Sequence, residues 1–488
     1  MEPDNLRFGG GLAHTVFNPV VLLLVLFAGA MICFAPRTKA IVAFLMTSIL
    51  IPTDQVLVLG PMHFPVLRIL IIFGLGRLLW AKLSGQTEIF SGGMNKLDWA
   101  MMLLAFFIAV NGILLWRHVA AAIFQLGNLY TAFGLYFLLR YLIRDEEDVQ
   151  RAIRTLAYVA VVVAAIMVFE QATGRNPLYT LLGGAQSTTF ATLSERDNRF
   201  RATGSFAHPI LAGTFGAILL PLFVGLAWKY KKDRKIAMMG IVAATIIPIA
   251  ANSSTSLLGF AGGVFALLCW PLRKMMRTVR WSIVVVLVSL HLYMTSPVWH
   301  LISDIDLAGG SSSYHRYQLL NQCIIHFWEW LLIGTKNYGD WGWDMFDLSN
   351  QYVAIADPSG LLPLVLFLSA IVLGFKYLGK ARKAVEGLAK EEFFIWAIGC
   401  ALFANVVAFF GISYFDQTIV AWYTLLAIIC AATLAARNAE KEMLNVSLAM
   451  PGYLPLVPSG RAGSGDPVTG ATDERLAMRK SSFFDQKA

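Results

Sequence analysis

The segment R-D-N-R-F-R-A-T-G-S-F-A-H-P-I-L-A-G (Arg196 to Gly213) sets Arg196, Arg199 and Arg201 just ahead of a long apolar run. A guanidinium presents its donors as a planar fork, and a helix starting at Pro209 would add the positive end of its dipole. Arg201, Gly204 and His208 therefore form a pattern suited to a pyrophosphate. Arg196 and Arg199 also fit lipid phosphates at a bilayer interface. Other patterns carry less. Asp304-Ile-Asp306 matches the D-x-D that can hold a metal against a nucleotide sugar, but a tripeptide is unspecific. The glycines at Gly74-Leu-Gly and Gly259-Phe-Ala-Gly-Gly lie inside apolar stretches, where small residues serve close helix packing. Arg68 is an ionisable group inside an apolar run, either a site residue or a snorkelling one. Asp416, in G-I-S-Y-F-D-Q-T, reads as a helix cap or as the wall of a cavity. Cys33, Cys269, Cys323, Cys400 and Cys430 have no zinc-ligand spacing and predict no structural disulfide.

The elements that must position these residues are written in the composition. The chain has 488 residues, 57% hydrophobic and 14% charged, with a mean hydropathy of +0.63; soluble domains carry about 25% charged residues. An ordinary soluble enzyme is excluded. Thirteen apolar runs begin near Asn18, Lys39, Phe64, Trp99, Val119, Ala152, Pro209, Ile236, Ser254, Trp281, Gly360, Phe393 and Thr418. Their continuity predicts helices rather than the alternating strands of a barrel. The expected fold is an all-α integral membrane bundle of 12 to 13 helices, with short helices in two long extracytoplasmic loops.

Lys and Arg set the expected sides. Of the 39, 30 fall near Arg37, after the third run, around Asp145, in Lys229 to Lys235, in Arg273 to Arg280, in Lys376 to Lys390 and in the C-terminal tail. By the positive-inside rule these are cytoplasmic, so the net charge of +9 requires no nucleic-acid partner. The two loops on the opposite face span 171–207 and 297–359, the second rich in Trp as a segment at the lipid interface would be. Four regions follow: helices in 1–170, a central region 171–375, helices in 376–436, and a disordered cytoplasmic tail over 437–488, whose composition turns to Gly, Ser and Pro from Met450. No internal repeat and no processed signal peptide is evident.

R-A-T-G-S-F-A-H-P-I-L-A-G, the small hydroxylated turn A-N-S-S-T-S-L-L-G-F-A-G-G (Ala251 to Gly263), S-S-Y-H-R-Y-Q-L-L (Ser312 to Leu320) and D-L-S-N-Q-Y-V-A-I-A-D-P-S-G-L-L-P-L (Asp347 to Leu364) follow one another in an order that resembles the O-antigen ligase and polymerase superfamily. The likeness covers about Gln171 to Phe375; W-L-L-I-G-T (Trp330 to Thr335) lacks the proline of the family stretch it resembles. It implies glycosyl transfer from a polyprenyl-pyrophosphate-linked oligosaccharide outside the cytoplasm, at a bacterial inner membrane. Arg201 and Arg316 would neutralise the pyrophosphate, with no metal and no cofactor. Ser349 stands where the family carries a histidine, leaving Asp347 first, then His315 or His208, as the base for the acceptor hydroxyl. Arg199, His208, His315, Asn350 and Tyr352 would bind substrate. The task implied is polymerising lipid-linked repeats into an exopolysaccharide, capsule or O-antigen, alongside a chain-length regulator and export machinery; a ligase acting on a lipid A core would use the same donor. Polar residues gathered in loops rather than at mid-span speak against a transporter.

Overall fold

The computed structural model describes residues 14–85, 88–183, 195–196, 199–304 and 313–449, without the side chains of 195, 196, 199 and 439–449. The chain is an all-α polytopic membrane bundle. Thirteen helices stand where the apolar runs predict them: α1 (Pro19–Phe34), α2 (Arg37–Leu50), α3 (Val66–Leu83), α4 (Lys96–Trp116), α5 (Val119–Leu142) and α6 (Glu146–Thr173), then, beyond the short α7 (Pro177–Leu182), α8 (Pro209–Lys229), α9 (Arg234–Ala250), α10 (Ser254–Leu268) and α11 (Met276–Tyr293). The second loop carries α12 (Ser313–Ile325), α13 (Phe327–Trp330) and α14 (Gln351–Ser359), and the chain returns through α15 (Leu361–Ala384), α16 (Ala389–Ala408) and α17 (Gln417–Ala449). Among the described residues, eight helices are long and apolar enough to cross a bilayer. Others are shorter; α2, with 14 residues, covers about 21 Å at the helical rise of ~1.5 Å.

Local chemistry sets the boundaries. Pro19 and Pro209 occupy first helical positions, where a missing N–H costs nothing, and the side chains of Asn18 and His208 cap those helices. Asn95 and Asp98 form a reciprocal capping box for α4. Asp145 caps α6 with three further carboxylates in its first turn, and Gly174, at φ +67°, ends it. The last helix does not stop near 436. It continues to Ala449, because R-N-A-E-K-E-M-L-N-V-S-L-A still favours helix and lacks Gly and Pro, so the first 13 residues of the expected 437–488 tail are helical. The rest of that tail lies outside the described residues.

Helix α8 is the central column, packed by α6, α9, α10 and α16. Its glycines permit this: a Cβ at Gly213 would lie 2.3 Å from Ser256 Oγ, and one at Gly216 2.7 Å from Ile247. In a bilayer, where apolar burial drives little association, such close approach supplies much of the packing. By contrast, α11 has no buried residue.

Contacts assign the bundle two ends. At one, the basic turns meet acidic partners: Arg37 with Asp145 and Asp148 at 2.8 and 2.7 Å, Arg154 with Asp233 at 3.3 Å, Arg273 and Arg382 with Glu392 at 3.0 and 2.7 Å, and Lys229 with Glu146 and Glu391. At the other lie both long loops and a small antiparallel hairpin, β1 (Val56–Leu59) and β2 (Met62–Pro65), turned by Gly60 and Pro61. Two charges read as interruptions of apolar runs pair between helices. Arg140 is buried against Asp98 at 2.9 Å, with Tyr136 donating to the same carboxylate at 2.6 Å. Arg68 donates to Thr131 Oγ1 at 3.0 Å, His63 O at 2.8 Å and Asn128 Oδ1 at 3.4 Å, tying α3 to α5.

Candidate functional site

The approach to Arg201 is built on a carboxylate. Glu170, in the last turn of α6 and 2% exposed, accepts from the amides of Thr203 and Gly204 at 3.0 and 2.9 Å. It also accepts from Thr203 Oγ1 at 3.0 Å and Asn176 Nδ2 at 3.1 Å. The loop can wrap the carboxylate because Gly204 adopts φ +62°, a conformation that costs glycine little. Ala202 then donates to Ala250 O at 3.1 Å and Arg201 Nε to Ala251 O at 3.3 Å, placing the guanidinium, 8% exposed, against the end of α9. His208 follows at the start of α8. Its Nδ1 accepts from the Ile210 amide at 3.1 Å. Burial, reinforced by the Arg201 charge, lowers its pKa to about 4. At neutral pH the ring is uncharged, a poor base, with Nε2–H left as a donor.

Arg316 arrives from the other loop. It lies one turn into α12, 6% exposed, and its Nε donates to Gly411 O at 3.3 Å. Thr255 Oγ1 donates to that same oxygen at 3.1 Å. A Cβ at Gly411 would fall 2.5 Å from Thr255 Oγ1, so only glycine brings this carbonyl so close. The turn Ala251 to Thr255, with Asn252 at φ +45°, thus meets Arg201 at one end and the Gly411 junction at the other. Arg201 bonds this turn directly, and Arg316 shares with Thr255 the Gly411 oxygen.

The 409–411 carbonyls form a row of acceptors. Phe409 O takes the Gln351 amide at 2.8 Å and Phe410 O takes Asn350 Nδ2 at 3.3 Å. Asn350 Oδ1 caps α14, and Tyr352 donates its hydroxyl to Val406 O at 3.1 Å. Both residues therefore use these polar atoms on the backbone of the α16 end, as positioning groups. Beneath them Phe409 packs on Tyr414, Trp422 and Phe367 with ring centroids 4.7, 5.2 and 5.3 Å apart. Each such pair contributes roughly 0.5–1.5 kcal/mol beyond area burial, enough to hold the turn rigid.

Asp347 lies in the 344–349 turn. Its backbone oxygen meets His315 Nε2 at 3.1 Å and accepts from the Ser349 amide at 2.8 Å. Burial is the largest influence on its carboxyl and raises the pKa, opposed by the charges of His315 and Arg316 and reinforced by Asp344. One ligand-type atom from each of His315, Asp344 and Asp347 lies within 4.8 Å of the others, a grouping that the sequence spacing did not reveal. These atoms could converge on a cation, with the Arg316 charge opposing it.

Of the residues singled out in the sequence, Arg201, His208, Arg316, His315, Asp347, Asn350 and Tyr352 are all placed at the end of the bundle opposite the basic turns. The side chains of Arg196 and Arg199 and the whole of Asp306 lie outside the described residues. Three residues of this end escaped sequence reasoning: Glu170, Gly411 and Gln417. Gln417, 2% exposed, donates to Ser205 O at 2.6 Å and to Ile51 O at 3.2 Å. A Glu closing an apolar run was the one available signal. Asp416, preceding α17 at φ +52°, has its carboxyl pushed up to about 7 by burial and by the charge of Asp54. No protein-family model matches the chain, and no curated protein does.

Proposed function

We propose that the chain is a membrane glycosyltransferase that polymerises polyprenyl-pyrophosphate-linked oligosaccharide repeats into an exopolysaccharide, capsule or O-antigen. The observation carrying this reading is the pair Arg201 and Arg316, both buried at this end of the bundle, Arg201 bonded to Ala251 O and Arg316 to Gly411 O, the oxygen that Thr255 also meets. The leaving group is already a pyrophosphate, so the barrier lies in the charge that develops as the anomeric C–O bond breaks. Fixed guanidinium forks in a water-poor site stabilise that charge without reorganising. The acceptor hydroxyl attacks the anomeric carbon and releases its proton to Asp347, which, though exposed, is a stronger base than an ordinary aspartate for its raised pKa. Polyprenyl pyrophosphate departs with the electron pair. His208 supports the reading as a neutral donor toward the sugar or the pyrophosphate.

In this reading the protein resides in a bacterial inner membrane, with the arginine end periplasmic and the basic turns and C-terminus cytoplasmic. A chain-length regulator and export machinery would act beside it, and nucleic acid would have no part. The test is a purified-protein assay with polyprenyl-pyrophosphate oligosaccharide. Free carrier released together with lengthening chains is the expected result; transfer only to added lipid A core would make it a ligase, and no turnover with either acceptor would refute glycosyl transfer.

A further inference from the structure

At the opposite end of the bundle, α1, α2 and α6 enclose a groove of about 590 Å³, within the ~300–1,000 Å³ of small-molecule sites. Its walls are Leu24, Phe27 and Met31 of α1 and Val42, Ala43 and Met46 of α2; its mouth carries Lys39, Arg151 and Arg154. The order along each helix is informative. Lys39 is in the first turn of α2, and Arg151 and Arg154 are in the second and third turns of α6, next to the basic turns. From there the apolar wall recedes along α1 from Met31 to Leu24, about 10 Å at ~1.5 Å per residue. Cations thus sit at interface depth and the apolar lining extends into the membrane.

We infer that this groove is a binding site for an anionic membrane phospholipid, its phosphate against Lys39, Arg151 and Arg154 and an acyl chain along the α1 and α2 walls. Charge complementarity supports this occupant. Arg151 is matched by Asp148 at 2.8 Å and Glu147 at 4.0 Å, and Arg154 by Asp233 through one nitrogen at 3.3 Å. For Lys39, which is exposed, no ion pair occurs among the described residues. The mouth therefore keeps a positive charge that a zwitterionic headgroup would not neutralise. Basic pockets between membrane helices suit anionic headgroups for this reason. The lining requires a chain, because a free phosphate would leave Phe27, 66% exposed, and Leu24, 45% exposed, uncovered.

The inference is independent of the glycosyltransferase reading, since it concerns the other end of the bundle. It is tested by native mass spectrometry of the full chain with phosphatidylglycerol, phosphatidylcholine or glycerol phosphate added. Phosphatidylglycerol should be retained at least about tenfold more tightly than phosphatidylcholine, equivalent to ~1.4 kcal/mol. Lys39→Glu should abolish that preference by reversing the charge. Ala43→Trp should abolish retention by filling the groove, and Lys274→Glu, the same charge change elsewhere at this end, should leave it intact. Equal retention of the two lipids, equal retention of glycerol phosphate, preferential retention of polyprenyl phosphate, or an effect of Lys274→Glu matching that of Lys39→Glu would each overturn the assignment.

Discussion

Arg316 and Thr255 hold one oxygen atom between them, the Gly411 carbonyl, at 3.3 and 3.1 Å. Arg316 is thereby tied to the stretch at Gly411 and, through the shared oxygen, to that of Thr255. The same turn that carries Thr255 receives Arg201 at Ala251 O. A shift in this turn would move both guanidinium groups together.

Arg201→Lys and Arg316→Lys are each expected to lose about a hundredfold in polymerisation rate, from ~3 kcal/mol of lost transition-state stabilisation. Lysine keeps the charge, but its single nitrogen cannot hold the backbone carbonyl and the pyrophosphate oxygens together. Arg175→Lys, at an exposed position, should be nearly silent. Wild-type rates in both arginine variants at normal expression would refute the assignment.

Glu170→Gln should impair the same reaction without touching substrate. Gln can keep its oxygen on the Thr203 and Gly204 amides and donate its NH₂ to Thr203 Oγ1, so the loss is the charge assistance of these hydrogen bonds, about 1 kcal/mol. Faster proteolysis of the loop after residue 200, together with weaker donor binding, checks this. A variant with wild-type protection and affinity would show that the carboxylate does not place Arg201.

The acid limb of the rate profile should belong to Asp347. A base acts only when deprotonated, and burial raises the Asp347 pKa, so activity should fall as pH drops through a value above the usual aspartate range. Asp347→Asn should slow turnover and remove that limb while donor binding persists; an unchanged limb would pass the role to another group.

Chelation separates arginine from metal neutralisation. Activity is expected to survive EDTA, because Arg201 and Arg316 supply the positive charge. Full loss restored by magnesium or manganese would shift that task to His315, Asp344 and Asp347, which lie close enough to share an ion.

Asp357, 2% exposed in α14, gives a stability prediction with a defined sign. Burial raises its pKa from 3.8 to about 7. The protonated form is favoured in the folded state, so its contribution to stability is complete below about pH 3.8 and is lost as pH rises through about 7. Asp357→Asn, uncharged throughout, should be nearly neutral near pH 4 and stabilising by up to roughly 4 kcal/mol near pH 8. Melting curves at the two pH values check it; equal shifts at both would contradict the burial argument.

The thirteen helices were legible because hydropathy is a local property, and so was the helix start at Pro209; the capping roles of His208 and Asn350 emerge only in the fold. The C-terminal extension of α17 was missed because low hydropathy was read as the end of structure, although residues after Arg437 still favour helix. The partners of Arg140 and Arg68 were not legible because they lie on other helices, Asp98 on α4 and Asn128 and Thr131 on α5. Gly411 and Gln417 carried no signal, since Gly411 accepts from side chains, and Gln417 donates to carbonyls, that lie far away in sequence. The functional reading rests on the order of short motifs, and the fold adds to it the joint placement of Arg201 and Arg316.

Gln417 Nε2 reaches the Ile51 carbonyl across 366 residues. During synthesis at about 5–20 residues per second, that separation takes about 20–70 s. Through that interval the end of α2 and the loop at Ser205 are joined by Ser205 Oγ on Ile49 O at 2.7 Å without the Gln417 bonds, and for most of it Gly411 has not yet been made to receive Arg316. The Gln417 contacts with the end of α2 and with the Ser205 loop therefore form only after the start of α17 has been made. A chain stalled before α17 would hold most of its helices and lack the bonds from Gln417 to Ile51 O and Ser205 O.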